Sequence, residues 1–429
     1  MPVSFGFMPP LTPRSPRRVV VIGAGAAGAM AAIFAAGAGA DTTLLERTRD
    51  GGRKILISGG GRCNVLPMRV DESRFVTSSS PNLLRKMLRS WPLAEQIAFF
   101  ENELRLPLAE EPESAKLFPL SNKARDVRDG LLAYARREGA TLRMDTIVTG
   151  FAPYDGGWRV ECDGAPPVDA DAVIVATGGL SVPNTGSDGL GLRELATLGH
   201  SMQPVYAALT PLTATDSPFA GLSGVSLRVT LTARDEAAGR SAAASGGFLF
   251  THQGYSGPVV LDVSHIAVRS RIESAAPAVV KVQWTELGAA EWENALRPQA
   301  NRTVTGALRA VLPDRLAAVL LTLAKVDPAR SLAELRRDER RRLIETLVSG
   351  TLPWSGDEGY RKAEVTGGGL SLAEVDPRTM ESRRHPGLHI CGEVLDAFGP
   401  VGGYNFFWAW ATGRAAGLGA AIGDTLMGN

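Results

Sequence analysis

Four β-branched residues, Val19-Val20-Val21-Ile22, run directly into Gly23-Ala24-Gly25-Ala26-Ala27-Gly28 and an alanine-rich stretch, and Glu46 follows 18 residues past the last glycine. A GxGxxG pattern alone is a weak signal. Between a buried strand and a helix each glycine has a task. Gly23 makes the tight turn, Gly25 lets backbone N–H groups approach a pyrophosphate, and Gly28 lets helix and strand pack closely. The helix N-terminus then faces an anion with unpaired N–H groups and a partial positive charge. Glu46, at the end of the next strand, can accept hydrogen bonds from both hydroxyls of an adenosine ribose and repels a 2′-phosphate. The expectation is a βαβ unit that binds an ADP moiety.

Val19 to Ala40 carries no charge, and by length alone it could cross a membrane. Its five glycines and many alanines keep its hydropathy low, so it reads as a buried strand and a buried helix. No membrane partner is expected. Residues 1–16 are Pro- and Ser-rich, and Arg14, Arg17 and Arg18 follow the apolar stretch Phe5–Leu11 instead of preceding it, so they read as a disordered leader, not a signal peptide. The three cysteines, Cys63, Cys162 and Cys391, form no CxxC, which fits a reduced, cytoplasmic setting. A net charge of +1 gives no field that recruits nucleic acid, and the five histidines show no zinc spacing with cysteine. A nucleic-acid partner and a metal are therefore not expected.

At 429 residues the chain is too long for one ordinary core. Strand, glycine turn, helix and strand fill 17–48. Helical stretches follow near Asn82–Ser90 and Leu93–Asn102. Ser121 looks like the cap of a helix that runs to about Glu138 and stops at Gly139. Strands near 141–148 and 157–162 frame a turn at Asp155-Gly156-Gly157, and Asp171–Ala176 reads as another buried strand. Beyond residue 200 the character changes. Val225, Leu227, Val229 and Leu231 alternate with polar residues, as in a half-buried antiparallel strand. Residues 286–350 turn helical. The expected architecture is α/β: a Rossmann-like domain over 17–198 and 352–429, interrupted by a β-plus-helical insert over 199–351.

The far C-terminus separates FAD from NAD. Leu388–Glu393 reads as a buried strand ending in Gly392-Glu393, where a carboxylate can bind ribityl hydroxyls. Gly399–Asn405 then leads into a helix from about Phe406, whose N-terminus can stabilise negative charge on a flavin edge. A plain strand–loop–helix that closes the sheet is the other reading.

Four stretches carry a resemblance: Gly52–Asn64 (GRKILISGGGRCN), Gly254–Pro258 (GYSGP), Asp376–Ser382 (DPRTMES), and Gly402–Asn405 (GGYN) with Trp408 and Trp410. Together they resemble the BaiN/YhiN-like family of NAD(P)/FAD-dependent oxidoreductases over about residues 18–420. The chain departs from the family pattern at Val401, where a Thr is usual, and at Phe406-Phe407. The resemblance implies an FAD domain of the glutathione-reductase type with a β-plus-helical insert. Its implied cofactor-binding set starts with Gly23, Gly25, Ala26, Ala27, Gly28, Glu46 and Arg47. Arg53, Lys54, Gly61, Arg62, Cys63 and Asn64 belong to the Gly52–Asn64 stretch, and Thr177, Gly178 and Gly179 mark a second approach to FAD. Gly392, Glu393, Gly402, Gly403, Tyr404 and Asn405 complete it.

Cys63 and His252 are the catalytic candidates. Arg62 can pair with pyrophosphate or a substrate anion, and beside it Cys63 would have thiolate character. The preferred reading of Cys63 is a small residue packed under the isoalloxazine. His252 can protonate a substrate or simply shape the turn at Thr251-His252-Gln253. The Arg-rich run Arg336, Arg337, Arg340, Arg341 and Arg342 is interleaved with Glu334, Asp338, Glu339 and Glu345 and reads as a solvated helix with i,i+4 pairs, with an RNA-contacting face as the other reading. No second GxGxxG follows Gly179, so NAD(P)H, as transient reductant, would visit a shared pocket. The expected function is an FAD-dependent oxidoreductase moving hydride through flavin N5 to or from a small organic substrate. An FAD-dependent RNA-modifying protein and a flavin redox sensor are the alternatives.

Overall fold

A computed structural model of the protein describes residues 15–274, 276–298 and 302–422. Apart from residues 15 and 16, the expected leader lies outside the described residues. In chain order the elements used below are β1 (Arg18–Ile22), α1 (Ala26–Gly37), β2 (Asp41–Leu45), α2 (Ala124–Arg137), β3 (Thr141–Arg143) and β4 (Ala172–Val175). After them come β5 (Met202–Ala208), β6 (Ser226–Asp235), β7 (Arg240–Phe250), α3 (Pro258–Glu273), β8 (Val365–Leu370), β9 (Leu388–Ile390) and α4 (Tyr404–Ile422).

Five strands form a parallel sheet in the order β9-β4-β1-β2-β3, with β1 at its centre and Val21 in register with Leu44 on one side and Ile174 on the other. Both faces of β1 are covered, so Val19 to Ile22 are all buried and show no alternation. β9 adds to the sheet from the far end of the chain. The α/β, Rossmann-like sheet is therefore assembled from segments far apart in sequence and completed by a C-terminal strand.

Helix α4 lies directly against α1. A Cβ on Gly413 would stand 2.4 Å from Ala27 O, and one on Gly417 2.4 Å from Ala31 O. The glycines thus let two helix backbones approach as side chains would forbid.

β5 and β8 pair antiparallel, Ala208 opposite Val365, and carry the chain out of this domain and back. Between them a seven-stranded sheet, centred on β6 and β7 and covered by α3, shares a separate core with the helices of 289–349. Among the described residues no helix is long and apolar enough to cross a membrane.

Three local expectations are corrected. Ser121 makes no cap, because Asn122 is left-handed (φ 54°) and Lys123 extended, so α2 begins at Ala124. The stretch 141–148 is not one strand. Asp145 (φ 53°) turns the chain, Thr141–Arg143 joins the parallel sheet, and Val148–Tyr154 pairs with Gly157–Cys162 in a hairpin. α4 starts at Tyr404, two residues early, because left-handed Gly402 and Gly403 (φ 125° and 89°) turn straight into it.

Candidate functional site

The parallel strands end together, and the cavity lies at those ends. Ile22-Gly23 at the end of β1, Leu45-Glu46 at the end of β2, Ala176-Thr177 after β4 and Cys391-Gly392 after β9 all line one cavity of about 580 Å³. Ligands in open α/β sheets bind at this edge.

At one end α1 presents its first turn. Gly25, Ala26 and Ala27 line the cavity, and the helix has no side-chain cap and no acidic residue in that turn. Its free N–H groups are an anion site. A Cβ on Gly25 would meet nothing within 4 Å, so the space beside it belongs to the cavity. Gly28 does not line it; a Cβ there would sit 1.8 Å from Gly23 O, which makes it the close-packing glycine. Buried Glu46 accepts from Ala24 N–H (2.7 Å) through Oε2, and from Thr48 N–H (2.8 Å) and the Thr48 hydroxyl (2.6 Å) through Oε1. Three of a carboxylate's roughly four accepting positions are taken, leaving one on Oε2. Arg47 pairs with Asp188 (2.6 Å) and donates to Gly186 O, holding the 183–189 loop over this end. Arg53, also in the wall, pairs with Asp50 (3.1 Å).

In the middle stands Glu393. Its Oε1 accepts from the Ser181 hydroxyl (2.5 Å) and Thr366 N–H (2.9 Å), and its Oε2 from Lys54 Nζ (2.7 Å), which also donates to Ser181 Oγ. Burial pushes the Glu393 carboxyl up. Lys54, Ser181 and Thr366 together outweigh that and hold it below the ordinary carboxylate range. It is a fixed anion, already three-fold bonded. Gly179 lies behind it and out of the wall, since a Cβ there would strike Thr366 Oγ1 at 2.3 Å. Thr177 and Gly178 are in the wall.

At the other end α4 begins. Gly402, Gly403, Asn405 and Phe406 line the cavity, and the Asn405 side chain closes the preceding loop by two bonds to the Gly399 backbone (2.9 and 3.0 Å). Trp408 Nε1 donates to Gly392 O (3.1 Å) and Trp410 Nε1 to Val65 O (3.0 Å), so α4 pins the loops on both sides. Tyr404 faces away from the cavity, against Phe75 and Arg74. Lys116, Glu364 and the insert residues Ser256, Gly257, Pro258 and Leu261 complete this end.

Several expected residues are not brought in. Gly59, Gly60 and Asn64 line the cavity, but Gly61, Arg62 and Cys63 do not. Arg62 instead pairs with Glu111 (2.9 Å) and stacks on Phe118, 4.0 Å from the ring centre. Cys63 is wholly buried, and burial pushes its thiol up to about 12. The thiolate, the less favoured reading of the sequence, is disfavoured here too: desolvation acts on the sulfur directly, while Arg62 is engaged elsewhere. The cysteine in the wall is Cys391, buried and also raised. His252 is exposed in a turn built by Thr251 Oγ1, which accepts from Gly254 N–H (3.0 Å), and it does not line the cavity. The Arg-rich helix carries the expected pairing, Arg342 to Asp338 (2.7 Å), and Arg340 reaches Glu293 (3.6 Å).

The sequence matches the HI0933-like protein Rossmann domain over residues 17–419. The chain belongs to this HI0933-like family. It is 32% identical over 403 residues to the ribosomal RNA dihydrouridine synthase of Escherichia coli strain K12, covering 92% of this chain and 96% of that one. It is 31% identical over 412 residues to the 3-dehydro-bile acid delta(4,6)-reductase of Clostridium scindens, with 94% and 99% covered. The ribosomal RNA dihydrouridine synthase of Haemophilus influenzae is also 31% identical, with 93% and 97% covered. The HI0933-like chain is accordingly an FAD-dependent oxidoreductase.

The residues present fit that cofactor. Asn64 Oδ1 and Thr177 Oγ1 are buried without a hydrogen-bond partner, and both residues line the cavity. Buried polar atoms of this kind call for a polar ligand. Together with the uncapped α1, the open space at Gly25 and the free position on Glu46, they suit a long ligand with a diphosphate in its middle. Sequence reasoning missed Lys116, Glu364 and Cys391 in this family member. The glycine run Gly367–Gly369 right after Glu364 was a signal of close backbone packing; Lys116 had none.

Proposed function

We propose that this chain reduces a carbon–carbon double bond conjugated to a carbonyl in a small organic substrate, using NAD(P)H as transient reductant. When bound, FAD supplies a hydride donor at flavin N5. One observation carries the reading: a single cavity runs from Gly25 and Glu46, past Lys54 and Glu393, to Ser256–Leu261 of the insert. A nucleotide at the first end leaves the last end for a second ligand, and 199–351 then acts as the cap that binds it.

The proposed cofactor set is Gly23, Gly25, Ala26, Ala27, Glu46, Arg47, Arg53, Lys54, Asn64, Thr177, Gly178, Gly392, Glu393, Gly402, Gly403 and Asn405, with Gly28 shaping the turn. The α1 N–H groups bind the diphosphate, and Glu46 accepts from the ribose. The first turn of α4 favours negative charge beside it. The absence of a second GxGxxG from the sequence supports a nicotinamide that enters the same insert-side end in turn with the substrate.

The relatives' names support the bond type. A dihydrouridine is a uridine hydrogenated at a double bond next to a carbonyl, and a delta(4,6)-reductase of a 3-dehydro steroid acts on double bonds conjugated with a ketone. A uracil in RNA is the second reading, favoured by the two relatives named as ribosomal RNA dihydrouridine synthases. Anaerobic reduction of the holoprotein by NADH or NADPH, followed by addition of a cyclic enone or of uridine-containing RNA, tests both. Flavin reoxidation with a product heavier by two hydrogens is expected. Reduction by neither nucleotide, or no reoxidation by either acceptor, refutes the proposal.

A further inference from the structure

At the insert end of the cavity three ionisable groups converge from separate parts of the chain. Glu364 immediately precedes β8, Lys116 begins the strand Lys116–Pro119, and Asp262 lies in the first turns of α3. Asp262 is committed: Oδ1 accepts from Val401 N–H (2.8 Å), and Oδ2 faces Arg74 Nη2 (3.4 Å). It thereby ties the insert to the loop that leads into α4.

The other two are uncommitted. Both line the cavity, and neither side chain forms a hydrogen bond or a salt bridge within 4.0 Å among the described residues. A Cβ on Gly402 would stand 3.7 Å from Lys116 Cε, which places the lysine beside the N-terminal loop of α4. Glu364 is fixed through its backbone, N–H to Leu209 O at 3.1 Å, at the point where the insert leaves the nucleotide domain. An uncommitted acid and an uncommitted cation thus share the part of the cavity lined by the insert.

We propose that Glu364 donates the proton that completes reduction of the substrate double bond, while Lys116 donates a hydrogen bond to the substrate carbonyl oxygen. The inference deepens the reading above and rests on it. FAD, when bound and reduced by two electrons, would supply the hydride for a C–H bond at the β-carbon, and the π pair of the double bond would move toward the carbonyl. Lys116 N–H stabilises the enolate oxygen that results. The Glu364 O–H bond breaks, and its proton forms the C–H bond at the α-carbon. The substrate gains two electrons and two hydrogens, and solvent reprotonates the carboxylate.

Glu364 is exposed to the open cavity, and desolvation by the walls around it pushes its carboxyl up to about 7, opposed by Lys116 and reinforced by Asp262. The charged groups facing it are those two and, through Asp262, Arg74. Below about pH 7 the donor form dominates; above it the proton is lost and turnover falls.

The test uses the FAD-loaded protein with Glu364→Gln, Glu364→Asp and Lys116→Met. Infrared difference titration of the oxidised protein, without substrate, should show a protonated carboxyl that titrates near pH 7 in the wild type and is missing in Glu364→Gln at equal flavin content. With a cyclic enone as probe, Glu364→Gln should lower kcat by about 100-fold or more, the span of general acid catalysis, and flatten the alkaline limb of the pH profile. Glu364→Asp should restore part of both. Lys116→Met should weaken enone binding and slow turnover together. Persistence of the titrating carboxyl in Glu364→Gln, or wild-type turnover by that variant, overturns the assignment alone. A wild type that leaves every cyclic enone untouched overturns the substrate reading and the assignment with it.

Discussion

Gly413→Ala tests how packing and cofactor binding are joined in this fold. The added Cβ would stand 2.4 Å from Ala27 O and 3.1 Å from Ala27 C and Cα, whereas ordinary contacts lie at 3.4–4 Å. Backbone atoms cannot rotate away, so α4 and α1 must separate by at least 3.0 − 2.4 = 0.6 Å to reach even a strained contact. Overpacking of this kind costs about 1–3 kcal/mol, against a helix-propensity gain of about 0.8–1 kcal/mol for replacing glycine. The net expectation is a loss of up to about 2 kcal/mol, with about 1 kcal/mol at the middle of the range. The displacement falls on the first turn of α1, where Ala27 lines the cavity, so FAD affinity should drop as well, by about tenfold for each 1.4 kcal/mol. Gly130→Ala is the control. It lies inside α2, and its nearest neighbour would be Leu104 Cγ at 3.6 Å, so the same chemical change should stabilise by about 0.5–1 kcal/mol. Urea unfolding of the apoprotein gives the first quantity and FAD titration by flavin fluorescence the second. Equal stability and affinity for Gly413→Ala and the wild type, or a larger loss for Gly130→Ala, refutes the close-approach argument.

Glu46→Ala should weaken FAD binding by about 1–3 kcal/mol, because a charge-assisted bond to ribose is lost and two backbone N–H groups lose their acceptor; an unchanged dissociation constant places the adenosine elsewhere. The Lys54–Glu393 pair should stabilise the fold above the ordinary carboxylate pKa and stop doing so as pH falls through the depressed folded value. Urea melts from neutral to acid pH should therefore lose a component in Glu393→Gln, and identical pH profiles would contradict the pairing. With its thiol pushed up to about 12, Cys63 at pH 8 holds only about one part in ten thousand thiolate, so the native protein should resist alkylation there by iodoacetamide. Rapid labelling at Cys63 without unfolding would show that burial does not control it. A chain truncated near residue 385 should lose flavin although its GxGxxG is intact, because β9, Glu393 and α4 go with the missing segment; full FAD affinity would make the C-terminal segment mere packing.

The βαβ unit was readable because its information is local. A β-branched run, glycines at set spacing and an acidic residue one strand later specify a turn and a helix start whatever surrounds them. The C-terminal strand and helix were readable for the same reason, although Gly402 and Gly403 started α4 two residues early. The false helix cap at Ser121 shows the limit of such rules. A capping residue is only permissive, and left-handed Asn122 moved the start to Ala124.

What side chains meet was settled elsewhere. Cys63 and Arg62 are neighbours in sequence and look like a thiolate with its cation, yet one enters the core while the other turns to Glu111 and Phe118. Desolvation depends on the atoms packed around a group, which adjacent residues do not reveal. Lys116 and Glu364 reach one cavity from opposite parts of the chain because a three-stranded sheet, the β5–β8 link and the loop before α4 converge there. The sequence by itself determined a glycine turn between strand and helix, an acidic residue one strand later and a C-terminal return to the same sheet, since those follow from backbone preference and short-range spacing. Tertiary packing alone decided which charges stay paired, which thiol is buried and which acid and amine stand without a partner at the insert end of the cavity, because burial and long-range electrostatics arise only when distant segments share a surface.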